Sequence, residues 1–272
     1  QRKIEGVYKG KSKTYDLRGK KVAIVMAGNP YTESGDKFQI PDMLSNRADI
    51  YNLGDITGGK GDVFELSYIE NSLTSNTVLQ RLAAKSFDDV YSFVKIAETG
   101  SQEGIEFEGN HSGQEIKEYT SLLEKVLIVR DTLTKVNAQY IYSAGQEEKY
   151  RTEPSFKLQG SYRDMNKIVE KLVPIMNEKE LQTIIMSHYE NESQTLTTGA
   201  EANILKFKEL QGILTEEDEK RWKEIKSVFM KAQKMSGLGE NNQTAQVLLQ
   251  MEDMSKSLGA IAYEIGKGLE EK

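Results

Sequence analysis

Two arginines and one asparagine stand where this sequence could handle phosphate chemistry. Arg47 closes a short helical turn that opens at Pro41, in IPDMLSNRAD. A guanidinium is always charged and forks onto phosphate oxygens, so it can stabilise charge building on a transferring γ-phosphoryl group. The same side chain also reads as a surface arginine in a weak ion pair with Asp49. Asn29 follows the apolar run Val22-Ala23-Ile24-Val25-Met26-Ala27, within Gly28-Asn29-Pro30. That sets a polar side chain at the carboxyl end of a buried strand, where open α/β sheets place ligands. Asn-Pro is equally a common turn initiator. Arg163 lies in Gly160-Ser161-Tyr162-Arg163-Asp164. Ser161 reads as an N-cap with Asp164 at the capping-box position, which puts Arg163 in the first helical turn. A cation there opposes the helix dipole, and a phosphate at that helix start would reverse the penalty.

Other chemistry has little material. Gly54 to Gly61 (GDITGGKG) nearly matches the Walker A loop, but Gly61 occupies the place of the hydroxyl that would hold Mg²⁺. Asp62-Val63-Phe64-Glu65 is a poor continuation into a phosphate-loop helix, so we read a flexible turn. No apolar strand ends in Asp-Glu, so Walker B is missing as well. The chain has two histidines and no cysteine, which excludes disulfides and thiolate zinc sites. His188, in IIMSHYENE, reads as a helix-surface or interface residue rather than a ligand, and we assign no metal site.

These residues need elements to position them. Arg2–Lys9 and Lys13–Leu17 read as two short strands of a hairpin around Gly10-Lys11-Ser12, and Arg18-Gly19-Lys20-Lys21 as a turn into the apolar run. Ala48 to Leu53 reads as a further strand. From about Asp62 onward the periodicity is helical. Ser86-Phe87-Asp88-Asp89 reads as a variant capping box. Ser112 to Ser143 carries Ile116, Leu123, Val126, Leu127, Leu133, Val136 and Tyr140 at helical spacing. Asn177 and Thr215 start two more helices, with apolar stripes through Leu181, Ile184 and Ile185 and through Trp222, Ile225 and Phe229. A last helix, roughly 242–266, sets Val247, Leu248, Met251, Met254, Leu258 and Ile261 on one side, which we read as core. Linkers are expected at Gly54 to Gly61 and, more weakly, at Gly100 to Gly113. The fold class is therefore mainly α (α+β).

At 272 residues the chain can bury a sizeable core, and one or two domains are expected. Charged residues make up 29% and hydrophobics 38%, which suits a helix-rich protein with much solvated surface. A net charge of −6 leaves no overall basic footprint for nucleic acid, although Lys9 to Lys13 and Arg18 to Lys21 are locally basic. There is no apolar run near the ~18 residues of a membrane span and no leader-like start. The absence of cysteine fits a reducing, cytoplasmic setting. The opening Gln1-Arg2-Lys3-Ile4 has no initiator Met and enters a strand pattern at once, which reads as the interior of a longer protein.

The stretch from Val22 to Asp49 resembles the second half of an AAA+ ATPase core of the MoxR-type branch. There a strand ending in Asn-Pro carries sensor 1, and a Pro-led helix delivers an arginine finger. Gly160 to Arg163 resembles the Gly-x-Ser-Pro-Arg lid sequence whose arginine is sensor 2, with Tyr162 where proline is usual. Together with YRTEPSF and TLTTGAEANILK, these segments look like the C-terminal part of large bacterial AAA-family proteins described as DNA-repair ATPases. The resemblance implies three parts. Residues 1–58 would end the α/β core, residues 59–193 would form a helical lid with sensor 2, and residues 194–272 a helical C-terminal extension. It implies ATP hydrolysis with Mg²⁺ in a complete protein, with Asn29 orienting the attacking water. Arg163 would contact the nucleotide in cis and Arg47 would act in trans within a homo-oligomeric ring. An upstream Walker A/B region would then be the immediate partner, and this chain alone would be inactive. The rival expectation is a non-catalytic helical interaction module of the same ancestry.

Overall fold

The computed structural model describes residues 3–21 and 61–237, together with Ala23, Val25, Asp49, Gly59, Met251, Met254, Ser255, Leu258 and Gly259. Asn29 and Arg47 lie outside these residues, as does nearly all of the two strands expected around them. Ala23 and Val25, from the run read as a buried strand, are exposed and belong to no regular element, because no described residue covers them.

The chain opens with a hairpin of β1 (Lys3–Tyr8) and β2 (Lys11–Asp16), paired antiparallel with Tyr8 opposite Lys11. The turn is tighter than expected and consists of Lys9 and Gly10 alone, both at positive φ (50° and 75°). That geometry matches the twist of the flanking strands. Val7 and Tyr8 remain exposed, and no hairpin residue joins the hydrophobic cores.

The α-helices within residues 61–237 are α1 (Gly61–Ser72), α2 (Thr77–Lys85), α3 (Phe87–Thr99), α4 (Gly113–Gly145), α5 (Tyr162–Val169), α6 (Glu178–Gln194), α7 (Ala200–Gln211) and α8 (Glu216–Gly237). The mainly α class is thus observed, with the hairpin as the β part. The linker expected over 54–61 ends earlier than read, because α1 already begins at Gly61 with Asp62 complementing its N-terminal dipole.

α4 is the spine. Its 33 residues run about 50 Å, and α1, α2, α3, α5 and α7 all pack on it. Tyr119, Leu122, Val126, Val129, Leu133, Val136 and Tyr140 recur every three or four residues and are all buried. The main core spans α1 to α7 and closes on Phe207. A second, smaller core of Ala202, Leu205 and Trp222 joins α7 to α8, so α7 belongs to both.

Two expectations change here. The weak linker point expected at Gly100 to Gly113 is packed down: Ile105 and Phe107 pack against the main core, and the His111 side chain is buried. The stripe read as core in the last helix is not buried where it is described, since Met251, Met254 and Leu258 are 62%, 67% and 59% exposed. Helical spacing marks an apolar face but does not supply the surface that would cover it.

Candidate functional site

The segment 160–164 enters α5 through a close crossing over α4. A Cβ built on Gly160 would lie 2.0 Å from the Leu133 carbonyl oxygen and 3.1 Å from the Asn137 nitrogen. Only glycine fits this approach. The Gly160 carbonyl accepts a hydrogen bond from the Tyr68 hydroxyl at 2.5 Å, which pins the segment to α1. Burial, with Tyr162 and Asp164 nearby, pushes the Tyr68 phenol up to about 12, so it stays a donor.

Ser161 then caps α5 as expected. Its backbone N–H and hydroxyl donate to Asp164 Oδ2 at 2.9 and 2.6 Å, and the Asp164 N–H donates back to Ser161 Oγ at 3.3 Å. Tyr162 is used structurally. Its ring lies 4.7 Å from that of Tyr68, and its hydroxyl shares a 2.7 Å hydrogen bond with Ser67. At the far end of α5, Asn76 Nδ2 donates to the Val169 and Leu172 carbonyls, both at 2.9 Å, while its Oδ1 caps α2. α5 is thus held at both ends.

Arg163 differs from its neighbours. It is exposed in the first turn of α5 and makes no hydrogen bond or ion pair among the described residues. Between Ser161 and Asp164, it is the uncommitted side chain.

Asp164 also reaches His188, which the sequence reading placed at a helix surface or an interface without naming its contact. His188 of α6 is not a helix-surface residue; it is 5% exposed, with Nε2 3.2 Å from Asp164 Oδ1. Burial pushes the Asp164 carboxyl up, but the hydrogen bonds from His188 and Ser161 outweigh this and hold it below the usual carboxylate range. Glu192, one helical turn beyond His188, completes a set whose ligand-type atoms all lie within 4.8 Å of one another. Tyr189, between them in sequence, is fully buried, and its hydroxyl has no hydrogen-bond partner among the described residues. Burial raises its pKa well above the ordinary phenol value, and the charges of Asp164, Tyr68 and Glu192 add to this.

The other histidine is used in a parallel way. The capping box expected at Ser86 is only half made: the Asp89 N–H donates to Ser86 Oγ at 3.2 Å, but the Asp89 carboxylate turns elsewhere. It accepts the Glu108 and Gly109 N–H groups, each at 2.8 Å, and meets His111 Nε2 at 2.7 Å. Phe93, Phe107 and Tyr119 present rings to His111 at 5.1, 5.3 and 5.8 Å. With side-chain exposures of 0% and 1%, this pair is sealed and staples the 100–112 segment to α3. Both Ser-x-x-Asp helix starts therefore place an aspartate on one of the two histidines. The Asp at the fourth position was the available signal, and what it lacked was the fold that brings the histidine near.

A cavity of about 230 Å³ lies between the turn before Arg151 and α8, with Lys149, Arg151 and Lys234 on its walls; it shares no residue with the Arg163 site. No helix among the described residues is long and apolar enough to cross a membrane. No protein-family model, curated protein or solved structure matches this chain.

Proposed function

We propose that this chain is the sensor and lid portion of an AAA+ ATPase, in which α1 to α7 form a rigid helical body that carries Arg163 to a bound nucleotide. The observation that carries this reading is the state of Arg163. Gly160, Ser161, Tyr162 and Asp164 are all fixed by packing or hydrogen bonds, while the cation among them is left exposed at a helix start. A bare helix N-terminus disfavours a cation, and a phosphate seated there favours one. In the complete protein, Asn29 and Arg47 would act at the same chemistry as sensor 1 and as a finger in trans, with ATP and Mg²⁺ held by an upstream region. Lid movement against the core would couple hydrolysis to remodelling of a partner, and DNA repair is the context that the resemblance suggests.

The test is Arg163→Ala in the full-length gene product. ATP affinity or turnover should fall by about tenfold or more, the scale of one lost charge-assisted phosphate contact. Binding and hydrolysis equal to the parent would remove Arg163 from the site. A second reading, a helical interaction module without nucleotide chemistry, is favoured by the exposed apolar residues Met251, Met254 and Leu258. It predicts that the full-length protein does not hydrolyse ATP at all.

A further inference from the structure

We infer that Asp164, His188 and Glu192 form a binding site for a divalent transition cation of the zinc class. His188 and Glu192 are four apart on α6, which puts an imidazole and a carboxylate on one helix face. Asp164 arrives from the first turn of α5, so the three ligands come from two helices whose relative position is already fixed by the main core.

Three observations support this. The first is spacing. Asp164 Oδ1 and His188 Nε2 stand 3.2 Å apart, whereas the chain's other buried Asp–His pair, Asp89 with His111, is closed to 2.7 Å. Two ligands of a tetrahedral ion with bonds of ~2.0 Å stand about 3.3 Å apart. The Asp164–His188 separation suits a hydrogen bond or two ligands of one ion, and the ligand-type atoms of all three residues lie within 4.8 Å of one another.

The second is the hold that Ser161 has on the Asp164 carboxylate. Asp164 keeps Oδ2 on the Ser161 N–H and hydroxyl, which fixes the carboxylate and leaves Oδ1 directed at His188. Ligating carboxylates are ordinarily oriented in this way. The third is the Tyr189 hydroxyl, fully buried, without a hydrogen-bond partner among the described residues, and close enough to feel the charges of Asp164 and Glu192. A buried hydroxyl left unpaired is costly. Three protein ligands leave a tetrahedral ion one position for water, which would offer that hydroxyl a partner.

Lys167 opposes the site, since its Nζ lies 2.9 Å from Glu192 Oε1. That pair is exposed on both sides (47% and 37%), so it contributes little and yields readily to a cation. One imidazole with two carboxylates suits Zn²⁺ or Mn²⁺ rather than Mg²⁺, which prefers an all-oxygen octahedron with several waters. The inference does not depend on the nucleotide reading.

The experiment is calorimetric titration of the chelator-stripped 272-residue chain with Zn²⁺ and, separately, Mn²⁺, with no nucleotide present. One site per chain is expected for Zn²⁺, with micromolar or tighter affinity. Glu192→Gln, a change at the half-exposed edge of the cluster, should weaken it by at least about tenfold, and His188→Gln should do the same. Glu190→Gln, on an exposed position of the same helix, should bind like the parent. Co²⁺ in place of Zn²⁺ should give intense visible bands that disappear in Glu192→Gln. Absence of binding by both ions would overturn the site. So would a Glu192→Gln protein that loses less than tenfold, because the ion would then sit elsewhere.

Discussion

Gly160→Ala is the most demanding single change this fold defines. Gly160 is not at positive φ, so the cost of the added methyl is steric rather than conformational. The new Cβ would lie 2.0 Å from the Leu133 oxygen, 2.8 Å from its carbonyl carbon and 3.1 Å from the Asn137 nitrogen. It would sit on the helical hydrogen bond between those two residues, in the middle of α4. A carbon approaches a carbonyl oxygen no closer than about 3.3 Å, so α4 and the entry to α5 must part by more than about 1 Å. Overpacking of this kind costs about 1–3 kcal/mol, and the same displacement strains the Tyr68–Gly160 hydrogen bond, worth about 1 kcal/mol. The expected loss is about 2–4 kcal/mol, a fall in thermal midpoint of roughly 5–15 °C for a body of this size. Urea melts and calorimetry on the 272-residue chain measure it. Gly113→Ala is the control: nothing lies within 4 Å of its Cβ and its φ is negative, so it should be neutral or stabilise by up to about 1 kcal/mol. A Gly160→Ala protein within about 0.5 kcal/mol of the parent would show that the crossing is looser than drawn. Gly160 would then be no structural requirement for placing Arg163.

Two further perturbations probe other parts of the fold. Burial pushes the Asp89 carboxyl up, but the His111, Glu108 and Gly109 hydrogen bonds prevail, so its folded pKa lies below its unfolded value near ~3.9. The resulting stability is present above that value and is lost as pH falls through the folded one. Asp89→Asn should cost about 2–3 kcal/mol at pH 7 and flatten the acid limb of stability against pH; an unchanged limb would refute the assignment. Trp222→Ala should empty the small core between α7 and α8, with a local cost of about 3 kcal/mol. Amide exchange should then accelerate through 216–229 while α4 remains protected, and equal acceleration in both would mean the two cores unfold together.

The helix starts were legible because capping is local. Ser112 with Glu115, Ser161 with Asp164, Asn177 with Glu180 and Thr215 with Asp218 each close within four residues, and each is made. Ser86 shows the limit of that logic. Its Asp89 has the right spacing, yet three donors from 19 to 22 residues away outcompete the local N–H. His188, read as a helix-surface or interface residue, lies in the interface between α5 and α6, and the sequence alone did not separate the two. In sequence it lies among polar helix residues, and only the packing of α5 on α6 turns it inward onto Asp164. Gly160 was read as part of a phosphate-binding pattern, and nothing local reveals that its missing side chain makes room for the backbone of α4. The apolar stripe at 251–258 was legible as a stripe, but burial depends on a partner surface that periodicity cannot specify. Asn29 and Arg47 lie outside the described residues, so their roles still rest on the resemblance of the surrounding sequence.

What joins these observations is the short distance between Arg163 and the Asp164 cluster. Arg163 and Asp164 are consecutive in the first turn of α5, and Asp164 is bound to α6 through His188. Any event that draws Asp164, His188 and Glu192 together also fixes the turn from which Arg163 projects. A cation there would stiffen the presentation of Arg163 without touching whatever Arg163 contacts. The two proposals remain separable in experiment. Arg163→Ala should leave zinc titration unchanged, because the arginine supplies no ligand, while Glu192→Gln should leave the charge of Arg163 in place. If zinc binding holds and Arg163 proves irrelevant to nucleotide, the cluster is a structural clasp between α5 and α6. If the reverse holds, the clasp is the Asp164–His188 contact alone, and Arg163 is presented by the Gly160 crossing and the Ser161 cap.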